Sequence, residues 1–208
     1  MAAKFHEMTI DDYLSALGST APAPGGGAAA GLIGAQACAL AEMVSRLTAG
    51  SKNCEAFKEQ AEQYTEVFKM ARSIFLDLMD DDAENFRNLM KVLQSPKPKD
   101  PSDTSRKEAL EEAFKKSAEA PMQMAQTMAD LLPSFTQLLL HCNKNVITDA
   151  IIAGEEAMSC IRAAKLNVQI NAKYVKDEFY AHETETTIQS WENAISAIDA
   201  VLTYQVSL

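Results

Sequence analysis

An all-α bundle of five or six long helices, folded as a single domain over residues 1–208, is what this sequence predicts, on three observations. Ala, Leu, Met, Glu, Gln and Lys are abundant, and these residues have strong helix propensity; hydrophobic residues make up 47% of the 208. Apolar side chains recur at three- and four-residue steps over long segments. No stretch alternates apolar and polar residues between hairpin turns, so no strand is predicted. A chain of this length buries a sizeable core as one domain.

The elements follow in order. Thr9 and Asp12 have the spacing of a capping box and open a short helix that ends near Gly18. Residues 19–24 form a loop stiffened by Pro22 and Pro24. A second helix starts at Gly25-Gly26-Gly27 and ends at Ala49-Gly50. Asn53 is placed to cap a third helix, along which Phe57, Ala61, Tyr64, Phe68, Ala71, Phe75, Leu78 and Met79 form one apolar stripe, resumed by Phe86, Leu89, Met90 and Leu93. The segment 95–103 is a surface loop within the domain. Asp103 caps the next helix, which Pro121 and Pro133 are expected to kink or break. A polar connection at 141–145 leads to a small-residue helix over about 146–166. The last helical run is expected from Asn167 to about Tyr204.

Charge and cysteine usage narrow the function. The formal net charge of −10 argues against a nucleic acid as partner and favours a small substrate. The first twelve residues lack the apolar core of a signal peptide, and the cytoplasm is the expected location by default. Cys38, Cys54, Cys142 and Cys160 show neither CxxC pairing nor a histidine at zinc-ligand spacing, so they read as reduced thiols and no metal site is predicted.

The stretch APAPGGGAAAGLIGAQACALA, residues 21–41, carries the main question. A membrane span is disfavoured because Gln36 and Glu42 interrupt the apolar run. A linker is disfavoured because helical periodicity starts at once, and a Walker loop because no Lys-Ser/Thr pair follows the glycines. Two readings stay open. The glycines could expose unpaired N–H groups at a helix start to an approaching ligand. Alternatively, the series Gly27, Gly31, Ala35 and Ala30, Gly34, Cys38 could serve only close helix packing.

The residues Pro22, Pro24, Gly25, Gly26, Gly27, Ala30, Gly34, Leu40, Met43, Val44, Leu47, Thr48 and Gly50 form a pattern that resembles the opening of the cyclodeaminase/cyclohydrolase family. That family includes the C-terminal half of formiminotransferase-cyclodeaminase and free-standing bacterial methenyltetrahydrofolate cyclohydrolases. The likeness continues in DDAENF (81–86), in EAPMQMAQTMADLL, and in residues 143–171, and so covers nearly the whole chain. The chain departs from the family in having Ala28 where Ser is frequent, Cys142-Asn143 for Gly-Asn, Thr148-Asp149 for Ser-Asp, and Lys52 one place late.

The resemblance implies a homodimer that binds a tetrahydrofolate derivative as substrate, with no prosthetic group and no metal. The implied reaction is hydrolysis of 5,10-methenyltetrahydrofolate to 10-formyltetrahydrofolate. The alternatives are cyclodeamination of formiminotetrahydrofolate with release of ammonia, and a diverged helical dimer without catalysis. Either reaction needs a carboxylate that moves protons. Asp149 and Asp82 are the candidates: by residue chemistry alone a first-turn acid and a solvated acidic face are the simpler explanations, and it is the resemblance that selects these two. Substrate contacts are assigned to Pro24, Gly25, Gly26, Gly27, Asn143, Asn167, Asn171 and Lys52, with Arg46 and Lys173 as further cations for the glutamate tail. A His141–Cys142 nucleophile pair lacks a third, orienting group.

Overall fold

The computed structural model describes residues 4–100 and 102–206. Residues 1–3, 101 and 207–208, parts of the predicted domain and of the predicted loop 95–103, lie outside them. Six α-helices follow in chain order: α1 Ile10–Leu17, α2 Gly26–Ala49, α3 Lys58–Gln94, α4 Ser105–His141, α5 Ile147–Ala172 and α6 Glu178–Val206. No strand occurs among the described residues, and the all-α prediction holds.

Local chemistry sets the first two helices where expected. Thr9 Oγ1 accepts the Asp12 N–H at 3.1 Å and caps α1, which stops at Gly18. α2 starts from Gly25 and ends at Gly50. A short 3-10 turn, Phe5–Glu7, docks on α3 through the Phe5 N–H and His6 Nδ1, each 2.7 Å from an Asp80 carboxylate oxygen.

Further along, several boundaries differ from the prediction. Asn53 does not cap α3, because a 3-10 turn, Lys52–Phe57, intervenes and Cys54 leaves helical dihedrals at φ −118°, ψ 23°. Asp103 sits one residue before the cap position of α4 and accepts the Ser105 N–H at 2.9 Å.

α4 runs unbroken through both prolines. Pro121 has no N–H to give the Ser117 carbonyl four residues earlier. Asn171 Nδ2 of α5 donates to that carbonyl at 3.2 Å instead. Pro133 is exposed and lies along an open groove with Ala129, the residue four places earlier whose carbonyl it leaves without an N–H.

The expected break before Asn167 does not occur either. Asn167 Nδ2 donates to the Ala163 carbonyl at 2.9 Å and Asn171 Nδ2 to the Asn167 carbonyl at 2.9 Å, so both amides lie along the helix rather than ending it. The chain turns at 173–177 instead, where Asp177 Oδ1 accepts the N–H groups of Phe179 and Tyr180 and opens α6.

α2 is the central strut. By length and composition it could cross a membrane, the one such helix among the described residues, yet more than half of its apolar window is buried in the bundle. Its small residues admit neighbours closely. A Cβ on Gly34 would stand 2.5 Å from the Phe75 ring and 2.9 Å from Cys160 Sγ, and one on Gly31 2.9 Å from Met79 Cβ. Packing therefore explains Gly31 and Gly34, held between α3 and α5. The main core adds Phe68, Phe135, Met124, Met128, Ile161 and Trp191, the last donating its indole N–H to Gln126 Oε1 at 3.0 Å.

Candidate active site

Gly25, Gly26 and Gly27 do something different from the glycines further along α2. They border a cleft of about 130 Å³. The loop before α2 supplies one wall, Asp82 and Phe86 of α3 a second, and Asn167, Ile170 and Asn171 of α5 a third, with Ser117 of α4 beneath. Pro24 is buried and does not line the cleft.

Three consecutive aspartates on α3 have three fates because successive residues on a helix point about 100° apart. Asp80 holds the N-terminal 3-10 turn. Asp81 is exposed. Asp82 turns to the first turn of α2, where the Ala28 N–H donates to it. The fit is tight: a Cβ on Gly27 would lie 2.1 to 2.3 Å from the Asp82 carboxylate atoms. A bare backbone at 27 is therefore the condition for this carboxylate to sit where it does.

Burial pushes the Asp82 carboxyl up to about 6, and the Ala28 N–H opposes the rise by stabilising the charged form. An acid of that strength gives and takes protons near neutral pH. The two asparagines complete the polar lining. Their Nδ2 groups are committed to backbone carbonyls, which leaves each Oδ1 as an acceptor oriented by its own amide plane. The Gly26 and Gly27 N–H groups lie in the first turn, where no intrahelical carbonyl precedes them. Phe86 and Ile170 form exposed apolar sides.

Within one chain the remaining predicted residues are elsewhere. Asn143 is tied to the far end of α2 by its N–H to Thr48 Oγ1 at 3.1 Å. Lys52 begins the 3-10 turn beyond that end, and Asp149 lies in the first turn of α5 beside it. The 24 residues of α2 span about 35 Å, so this group and the glycine cleft occupy opposite ends of one chain. Asp82 and Asp149, the two predicted carboxylates, therefore share no cavity within a single chain. Arg46 pairs with Glu42 at 2.8 Å near the same far end, whereas Lys173 is at the cleft end, two residues past Asn171.

His141 and Cys142 do not form a catalytic pair. The imidazole lies tilted against the Phe57 ring at 5.0 Å, and burial pushes the Cys142 thiol up, away from the reactive thiolate. Sequence reasoning missed Ser117 and Ile170. The signal for Ser117 was the proline four residues later, whose missing donor frees the carbonyl that holds Asn171.

An all-α bundle with a small-molecule cleft, built from helix-start backbone, one half-buried carboxylate and two amides, is the class of protein these features define. The chain belongs to the formiminotransferase-cyclodeaminase family, whose sequence profile matches residues 9–190. It is 33% identical to a methenyltetrahydrofolate cyclohydrolase of Methylorubrum extorquens over 84% of each chain. It is 27% identical to the mouse formimidoyltransferase-cyclodeaminase over 88% of this chain and 34% of that protein. Its fold matches the crystal structure of the formiminotetrahydrofolate cyclodeaminase from Thermotoga maritima with a TM-score of 0.88, at 28% identity and 97% coverage of both chains.

Proposed function

We propose that this chain hydrolyses 5,10-methenyltetrahydrofolate to 10-formyltetrahydrofolate, with Asp82 as the proton shuttle. One observation carries the reading: a carboxyl poised near 6 faces bare backbone and two fixed amides in the cleft. The methenyl carbon is the centre of an amidinium cation. Asp82 as carboxylate offsets that charge and takes a proton as water adds to the carbon. The ring C–N bond then breaks, the proton passes to the departing N5, and the second proton of the water goes to solvent. Asn167 and Asn171 accept from the N–H edge of the pterin, the glycine N–H groups donate to its carbonyl, and Phe86 with Ile170 flanks the aromatic portion. The glutamate tail leaves over Ile170 toward Lys173.

Cyclodeamination, a lyase reaction, is the second reading, favoured by the likeness to the Thermotoga protein. The same carboxyl would then protonate departing ammonia. Purified protein should remove the absorbance of methenyltetrahydrofolate faster than buffer alone, and formiminotetrahydrofolate with ammonia detection separates the two reactions. Turnover at the buffer rate with both substrates, together with no thermal shift on adding folate, leaves a helical module without catalysis.

A two-fold homodimer in the cytoplasm belongs to this proposal. Met43 and Leu47 of α2, Ile152 of α5, and Val67, Met70 and Ile74 of α3 are exposed apolar residues that a second copy would cover. On the same helices, Arg72 Nε and Glu156 Oε2 are buried without a hydrogen-bond partner. Antiparallel pairing over α2 and α5 would carry the Lys52, Asn143 and Asp149 end of one copy toward the glycine end of its mate. Mixed Asp82→Asn and Asp149→Asn proteins should then regain about a quarter of wild-type turnover, because half the dimers are mixed and one of their two sites is intact. An Asp149→Asn protein with unchanged activity removes Asp149 from the reaction.

A further inference from the structure

Tyr13 is unaccounted for by the site described above. Its side chain is only 4% exposed, yet its hydroxyl has no hydrogen-bond partner. Buried hydroxyls are almost always bonded, because an unpaired one forfeits its interactions with water. The ring is sandwiched in a small cluster apart from the main core, against Ala28 of α2 and Met79 of α3, under Phe5, Met8, Leu17 and Leu32. Ala28 is the residue whose N–H donates to Asp82, and Met79 lies one helical turn before Asp82 on α3. Tyr13 therefore packs on the residues that flank the carboxylate on α2 and α3, and it is not among the residues lining the cleft.

Resting on the proton-shuttle reading of Asp82, we propose that Tyr13 is a positioning residue for that carboxylate. Its hydroxyl, unpartnered while Asp82 is held by the Ala28 N–H, swings to donate to the ionised form when the proton has left. Burial, and after it the negative charge of Asp82, push the phenol up, so Tyr13 keeps its proton and has an O–H to offer a carboxylate.

Among the described residues the neighbouring charged groups are engaged elsewhere. His6 and the Phe5 N–H occupy Asp80, Lys4 pairs with Asp77, and Arg87 lies over the Phe5 ring. Asp11 and Asp12 of α1 are exposed. Lys116 of α4 pairs with Glu119, the first turn of α2 carries no acidic side chain, and α5 brings the amides Asn167 and Asn171.

Tyr13→Phe removes the hydroxyl and keeps the ring. A donor to the charged form lost, the proton affinity of Asp82 rises about tenfold, and the limb of the kcat/KM profile that Asp82 governs moves to higher pH. Carbon-13 NMR of the Asp82 carboxyl, assigned by its loss in Asp82→Asn, reads the same change without any turnover. Leu17→Ala loosens the same cluster without touching a hydroxyl and should leave the midpoint in place. Superimposed titrations of wild type and Tyr13→Phe overturn the proposal, as does an equal shift in Leu17→Ala. A chain inert toward both folates would remove the proposed reaction, and the NMR midpoints would still judge Tyr13.

Discussion

Asp82→Asn should abolish turnover and at the same time make the protein more stable at neutral pH. The rate loss is expected at roughly 10²- to 10⁴-fold, the usual size of a general acid–base contribution. The gain in stability has the same origin as the catalysis. In the folded chain the Asp82 carboxyl is held at about 6, above its ordinary value of 3.8, because ionising it between α2 and α3 sacrifices hydration. Folded protein therefore binds more protons than unfolded protein between those two values, and wild-type stability falls as pH rises through that window. Above about 6 the penalty is complete, about 3 kcal/mol at 1.36 kcal/mol per unit. Asparagine has the same shape, still accepts from the Ala28 N–H, and carries no charge to bury. Melting curves of the two proteins should coincide near pH 4, separate between pH 4 and 6, and differ by roughly 5 to 10 °C at pH 7. A variant that loses activity and stability together at pH 7 contradicts the burial of an ionised carboxylate here.

Gly27→Ala and Gly26→Ala should have opposite outcomes although the residues are neighbours. An alanine methyl at 27 would stand 2.1 Å from Asp82 Oδ1, a separation no real contact shows, so the carboxylate must leave its place beside Ala28. At 26 the same methyl meets only the Asn167 amide, at 3.7 Å, which is ordinary van der Waals contact. Alanine is the better helix former by about 1 kcal/mol, so Gly26→Ala should be neutral or mildly stabilising and keep its activity. Gly27→Ala should cost about 1 to 3 kcal/mol from overpacking and most of the turnover. Removing the obstacle in a Gly27→Ala, Asp82→Ala double variant should restore stability without activity, as urea unfolding and the absorbance assay would read. Equal behaviour at 26 and 27 would return both glycines to a role in chain flexibility alone.

The contrast between those glycines shows how far sequence reasoning reaches. Three adjacent glycines at a helix start left two explanations open, close packing and ligand approach. The structure divides them along one helix. Gly31 and Gly34 admit Met79, Phe75 and Cys160, whereas Gly27 admits a carboxylate and opens onto a cleft. No spacing rule distinguishes these, since all lie on the same periodic faces of α2. The prolines teach the same lesson. Pro121 is a helix breaker by its own chemistry, and what keeps α4 intact is an amide fifty residues later in the chain.

Helix number, the bounds of α1 and α2, and the small-residue faces of the central helix were readable in advance, because caps, propensities and apolar periods act between residues a few places apart. The family resemblance pointed to Asp82 beside Asp149, and of the three adjacent acids on α3 Asp82 is the one turned toward Ala28. Contacts between residues far apart in the chain were not readable. Which acid joins the glycines, where Asn171 finds its second acceptor, and that Asn143 and Asp149 stand some 35 Å from them within one chain depend on how α2, α3 and α5 pack. Packing is set by the shapes of whole faces meeting, and a linear pattern records each face without recording its mate.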